Sequence, residues 1–303
     1  MAVQSDRPAH AKGISLTPIE RTFHADAVAY SALKVEIDRS TRRAVVMLNG
    51  PGAQSPASAE AIVQQGATFW PLRLARELDD AILHLRLNEP EIGVLIFKSQ
   101  GEPTQVLAYD ALLQANADHW LAREILQYWK RVLKRVDLTS RSLVTLVEPG
   151  SCFAGTLAEL AFASDRCFML IGNFQGDNRV PPSLALSGLN FGVYPMSNGL
   201  SRLATRFLGE PASLDEARAA SARLLSAEDC ERMGLVTSAL DHIDWEDEVR
   251  IFLEERASFF RRCVDGYGGK PAFRRTGDHG DQDLRQAYRL AELDLSAAQR
   301  RRC

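Results

Sequence analysis

The feature that most restricts what this chain can fold into is an alternation of strand-length apolar runs with amphipathic helices between residues 33 and 172. Residues 33–48, LKVEIDRSTRRAVVML, read as two short strands about a polar turn, with Leu33, Val35 and Ile37 alternating with polar neighbours. Residues 72–88 repeat Leu72, Leu78, Ile82 and Leu85 at helical spacing. After Pro90, IGVLIFKS (92–99) is a continuous apolar run, the pattern of a strand covered on both faces. A second helix is expected over 120–136, a buried strand over 142–150 and another over 167–172. Strands and helices in this order build a parallel sheet with right-handed crossovers.

The chain then turns helical. Residues 212–236 hold two short helices, with Ser226 ahead of Glu228 and Asp229 as an N-cap, and a further helix is expected over 245–258. Residues 1–30, broken by Pro8, Gly13 and Pro18, read as an irregular lead-in. Residues 49–66, with Pro51, Gly52 and Pro56, read as a long loop.

Composition narrows the function classes. With 46% hydrophobic and 25% charged residues, 303 residues can bury a sizeable core. A net charge of -3 gives no basic excess for nucleic acid or an anionic membrane surface. No apolar run is long enough to span a bilayer, and MAVQSDRPAHAKG has no apolar signal core. Cys152, Cys167, Cys230, Cys263 and Cys303 are scattered, so reduced thiols and a cytoplasmic location are expected. No His or Cys pair sits at ligand spacing, so no metal is expected.

Four stretches, in order, carry a resemblance: ELDDAILHLRLNEPEIGVLIFKSQG, GTLAELAFASDRCFML, LNFGVYPMSNGLSRL and LLSAEDCERMGLV. Together they resemble the crotonase (enoyl-CoA hydratase) superfamily. The resemblance implies an α/β fold with a β-spiral core, surrounding helices and a helical C-terminal part. QSDRPAHAKG, WPLRLARELDDAI, EPGSCFAGTLAELAFASDR and LNFGVYPM are similar, more closely, to the C-terminal half of the benzoyl-CoA-dihydrodiol lyase family. That resemblance covers residues 4–257. It implies a lyase of aromatic degradation that opens the ring of 2,3-epoxybenzoyl-CoA, CoA being part of the substrate and no separate cofactor being needed. Met1 falls at an internal position of that family. The expected partners are therefore an acyl-CoA or benzoyl-CoA derivative and an N-terminal half carrying the family's catalytic residues, with an oligomer left open.

The domain is expected over 31–258. After Ser258 the composition becomes Arg- and Gly-rich, with little helical periodicity. Written with suitable codons, RRTGDHGDQDLRQ (274–286) read one base out of register gives AGPETMETKIFG, a segment typical of that family. Residues 259–303 are therefore expected to be a frameshifted, poorly packed tail. Its sparse apolar residues cannot repay the entropy of ordering.

Crotonases hold a thioester carbonyl between two backbone N–H groups that stabilise the developing enolate. The family's Phe-x-Ala-Gly-x-Asp loop matches here through Ala108 and Asp110, with Tyr109 where a Gly stands, and implies Ala108 as the first oxyanion-hole position. The Gly-Gly-Gly run before Glu reads Gly155, Thr156, Leu157, Ala158, Glu159, which implies Gly155 and Thr156 as the second. Glu159, within an apolar helix, matches the first of two acid-base carboxylates. The alternative for Glu159 is a helix-start residue stabilised by the dipole or paired with Arg166. The second carboxylate position is held by Gly188, which has no proton to give. A non-catalytic supporting half follows, the alternative being a self-standing acyl-CoA enzyme relying on Glu159.

Other residues read as structural. Glu148 is expected in a turn before Pro149, Cys152 as a small buried residue, His119 at a helix start and Asp165 anchoring a turn. Trp70, Pro71 and the helix over 121–136 are candidates for contact with CoA or a partner domain.

Overall fold

A computed structural model describes residues 13–265, with 259–265 described only as backbone. The reading of 259–303 as a frameshifted tail falls beyond Ser258, in that backbone-only stretch and outside the described residues.

The strands are β1 (Arg21–His24), β2 (Ala27–Tyr30), β3 (Leu33–Asp38), β4 (Arg43–Asn49), β5 (Val94–Gln100), β6 (Ser142–Val147), β7 (Arg166–Leu170), β8 (Leu184–Ala185), β9 (Leu224–Leu225) and β10 (Ser238–Leu240). The helices are α1 (Ala59–Gln65), α2 (Trp70–Asn88), α3 (Pro103–Ala115), α4 (Trp120–Asp137), α5 (Ala158–Ala163), α6 (Arg202–Arg206), α7 (Pro211–Ala219), α8 (Ala227–Arg232) and α9 (Trp245–Asp265). Eight strands form one sheet in the order β1-β2-β3-β4-β5-β6-β7-β10. β1 to β4 pair antiparallel and β4 to β10 pair parallel, so each helical crossover advances the sheet by one strand. β8 and β9 form a separate antiparallel ribbon.

Strand periodicity sorts side chains between two cores. On β5, Leu95 and Phe97 enter the large core under α2 and α4, while Val94 and Ile96 enter a smaller one under α9. β6 and β7 divide the same way, Cys167 and Met169 on one side and Phe168 and Leu170 on the other. This double burial explains the uninterrupted apolar runs. β3 instead alternates buried Leu33, Val35 and Ile37 with exposed Lys34, Glu36 and Asp38, because α9 does not cover it.

The structure corrects the sequence reading at several elements. The lead-in over 1–30 is ordered from Arg21 as the β1–β2 hairpin, whose backbone groups are satisfied by pairing onto β3. The loop over 49–66 contains α1, whose N-cap Ser58 Oγ accepts from the Ala61 N–H at 3.4 Å. The stretch 105–110, matched above to the family's oxyanion loop, lies within α3, with Pro103 in the first turn, where a missing N–H costs nothing. α8 begins as expected, Ser226 Oγ accepting from the Asp229 N–H, and α9 runs on past Ser258 to Asp265. Among the described residues no helix is long and apolar enough to cross a membrane.

Candidate functional site: a buried carboxylate lock

The turn before α5 places Gly155 and Thr156 at the C-terminal side of the parallel sheet. Gly155 adopts φ +45, and its N–H donates to the Ala185 carbonyl at 2.9 Å. The Thr156 N–H donates to Asp110 Oδ2 at 2.8 Å, and the Thr156 hydroxyl donates to Oδ1 at 2.6 Å. The Ser187 hydroxyl adds a third donor to Oδ2, at 2.8 Å. Both amides of the implied second oxyanion position are therefore taken by acceptors of the chain itself.

Ala108 does not complete the pair. It lies inside α3, where its N–H belongs to the helix ladder, and it is exposed. The helix also explains Tyr109: its ring turns away into the core, 5.5 Å from Phe69 and 5.4 Å from Trp70 between centroids. The same helical turn brings Asp110 inward. Burial pushes its carboxyl up to about 6, against the pull of the Thr156 and Ser187 hydrogen bonds.

Glu159 lies in the first turn of α5 and is 1% exposed. Its Oε1 accepts from Asn190 Nδ2 at 2.7 Å and its Oε2 from Arg202 Nη1 at 2.7 Å. Arg202 Nη2 donates to Asp137 Oδ2 at 2.7 Å, so one guanidinium joins α4, α5 and α6. Burial raises the Glu159 carboxyl, and Arg202 and Asn190 pull it back. Burial works against the Arg202 charge, yet Glu159 and Asp137 together hold it above its ordinary value. The partner of Glu159 is thus Arg202; Arg166 instead lies over the Phe252 ring.

Asn190 ties the two carboxylate clusters together. It sits in the short 3-10 turn Gly188–Phe191, where Ser187 and Asn190 form a capping box. Its Nδ2 also donates to the Gly155 carbonyl at 2.9 Å. Gly188 starts that turn, and the space beside it is filled: a Cβ built there would meet Gln114 Nε2 and Oε1 at 2.5 Å. The arrangement holds Asp110 and Glu159 in fixed hydrogen bonds. A concavity of about 600 Å³ opens elsewhere, lined by Lys34, Glu36, Asp38 and Arg43 on the face that α9 leaves bare.

The remaining expected residues fall where their structural readings put them, save one pair. Glu148 accepts from Lys98 Nζ at 2.8 Å, and Asp165 Oδ2 accepts from the Leu143 N–H, anchoring the turn into β7. His119 immediately precedes α4. Cys152 is buried, which pushes its thiol up to about 11. Trp70 and Pro71 are buried rather than presented to a ligand: Trp70 Nε1 donates to the Asn49 carbonyl, and the Pro71 carbonyl accepts from Trp129 Nε1. Among the described residues no cluster of metal-ligating side chains occurs. Asp110, Asn190, Arg202 and Gln114 were the residues that sequence reasoning left without a role. Arg202 stands in the quoted stretch ending SRL, and the Ser187-x-x-Asn190 spacing is itself a capping signal.

The fold is that of the crotonases. The chain superimposes on an enoyl-CoA hydratase of Geobacillus kaustophilus HTA426 with a TM-score of 0.51 over 76% of each chain, at 18% identity. It superimposes on an enoyl-CoA hydratase/isomerase of Xanthobacter autotrophicus Py2 with a TM-score of 0.52, over 88% of this chain and 84% of that one, at 14% identity. No family model matches the chain. In sequence it is a relative of the benzoyl-CoA-dihydrodiol lyase of Aromatoleum evansii, 44% identical over 266 residues, which is 88% of this chain and 47% of that protein. The chain thus spans about half the length of the curated relative it matches.

Proposed function

We propose that the chain is the C-terminal, supporting half of a lyase of the benzoyl-CoA-dihydrodiol type. In this reading a separate N-terminal half performs the ring opening of 2,3-epoxybenzoyl-CoA, with CoA as part of the substrate. The observation that carries it is the glycine at position 188, with the Gln114 amide against it, where acid-base chemistry needs a second carboxylate. The occupied Thr156 amide, the helical Ala108 and the coverage of about half the relative add support. By itself the chain is expected to be inactive and to serve as a rigid partner domain in the cytoplasm.

Co-expression with the N-terminal half of the relative tests this. Consumption of the epoxide should require both polypeptides, and the two should co-purify. Turnover by this chain alone, abolished by Glu159→Gln, would instead establish a self-standing acyl-CoA enzyme.

A further inference from the structure

The Asp110 carboxylate is held by neutral donors alone. Thr156 supplies its N–H and its hydroxyl, and Ser187 its hydroxyl, all in buried residues. Among the described residues no cation pairs with it: Arg202 is committed to Glu159 and Asp137, and Glu159 carries the same sign as Asp110. The donors are fixed independently of Asp110. Ser187 caps the 3-10 turn, and the Gly155 backbone is pinned through its N–H to Ala185 and through its carbonyl to Asn190. Gly155 makes the room. A Cβ there would lie 1.8 Å from Asp110 Oδ2 and 2.9 Å from Ser187 Oγ. The surroundings therefore have the form of a binding site, with converging donors on rigid segments and a space matched to one planar carboxylate.

We propose that the Thr156–Ser187 cradle is a site for a small monocarboxylate whose resident ligand is the chain's own Asp110, and that free formate takes its place once that carboxyl is removed. Shortening the side chain leaves buried donors unsatisfied, which destabilises the fold, and a ligand that satisfies them restores stability by mass action. Formate has the size and planarity of the missing group; chloride is a single centre and cannot fill both oxygen positions, and benzoate is too large.

The test is thermal denaturation of the full chain and of Asp110→Ala in formate, acetate, benzoate or chloride at matched ionic strength. Asp110→Ala should melt several degrees below the parent. In formate above its Kd its Tm should climb by roughly 3–6 °C per tenfold in concentration. The parent should not respond, and Asp110→Ala/Ser187→Ala should lose most of the response. Equal shifts in formate and chloride, or equal responses from parent and variant, would overturn the proposal. If Asp110→Ala does not fold unaided, refolding from urea reads the same question: soluble recovery favoured by formate over chloride supports the site, and equal recovery in both overturns it.

Discussion

Replacing Arg202 with leucine tests whether Glu159 is part of a structural lock. Arg202 is 2% exposed and bridges Glu159 and Asp137, each at 2.7 Å. Removing it leaves two carboxylates inside the protein with no counter-charge. Breaking a buried pair in this way costs about 3–5 kcal/mol, or roughly 6–20 °C in Tm for a domain of this size. The loss has a pH signature. Without Arg202 the Glu159 carboxyl, already raised by burial, moves further up, so the fold holds a proton that the unfolded chain has released. Stability then falls as pH rises, by about 1.4 kcal/mol per unit for each carboxyl held neutral in the fold. Urea denaturation followed by circular dichroism should show a deficit that is largest near pH 8 and shrinks toward pH 5. An Arg202→Leu variant as stable as the parent at both pH values would refute the lock.

Three further outcomes follow from the same geometry. Asp110→Asn should keep the network, its carbonyl accepting from the Thr156 N–H while its Nδ2 donates to Thr156 Oγ1, which can turn its proton to Tyr194. Asp110 lies above its ordinary 3.8, so its stabilisation is complete below about pH 4 and is lost as pH rises through about 6. That decline amounts to about 3 kcal/mol and should be missing from the Asn variant in pH-dependent denaturation. Gly155→Ala should cost about 2–5 kcal/mol by urea denaturation, from the left-handed backbone and the displaced Asp110; a neutral effect would contradict the close approach. Burial raises the thiols of Cys152, Cys167 and Cys230, so a brief iodoacetamide pulse near pH 8 should leave these residues unmodified by mass spectrometry until urea is added.

The parallel half of the sheet was legible because its strands are buried on both faces, which writes an unbroken apolar run into 92–99 and 142–147. The β1–β2 hairpin left no such mark: Arg21, Thr22, Phe23 and His24 are all exposed, so no alternation was imposed on them. α3 is signalled by its own residues, Pro103 followed by TQVLAYDALLQA being a sound helix start, but the likeness of 105–110 to an oxyanion loop masks that signal. Of the alternatives for Glu159, the pairing with Arg166 that local sequence offers does not form; its Oε2 accepts from Arg202, 43 residues away. Sequence spacing shows which side chains share a helix face; it does not show which one crosses the fold to meet them.

Steady-state turnover of 2,3-epoxybenzoyl-CoA by the purified chain, with nothing else added, is the deciding assay for a supporting half whose Thr156 amide and Glu159 carboxylate are already engaged within the fold. A rate no greater than that of the buffer is expected. Saturable turnover at an enzyme-like rate would sink the proposal.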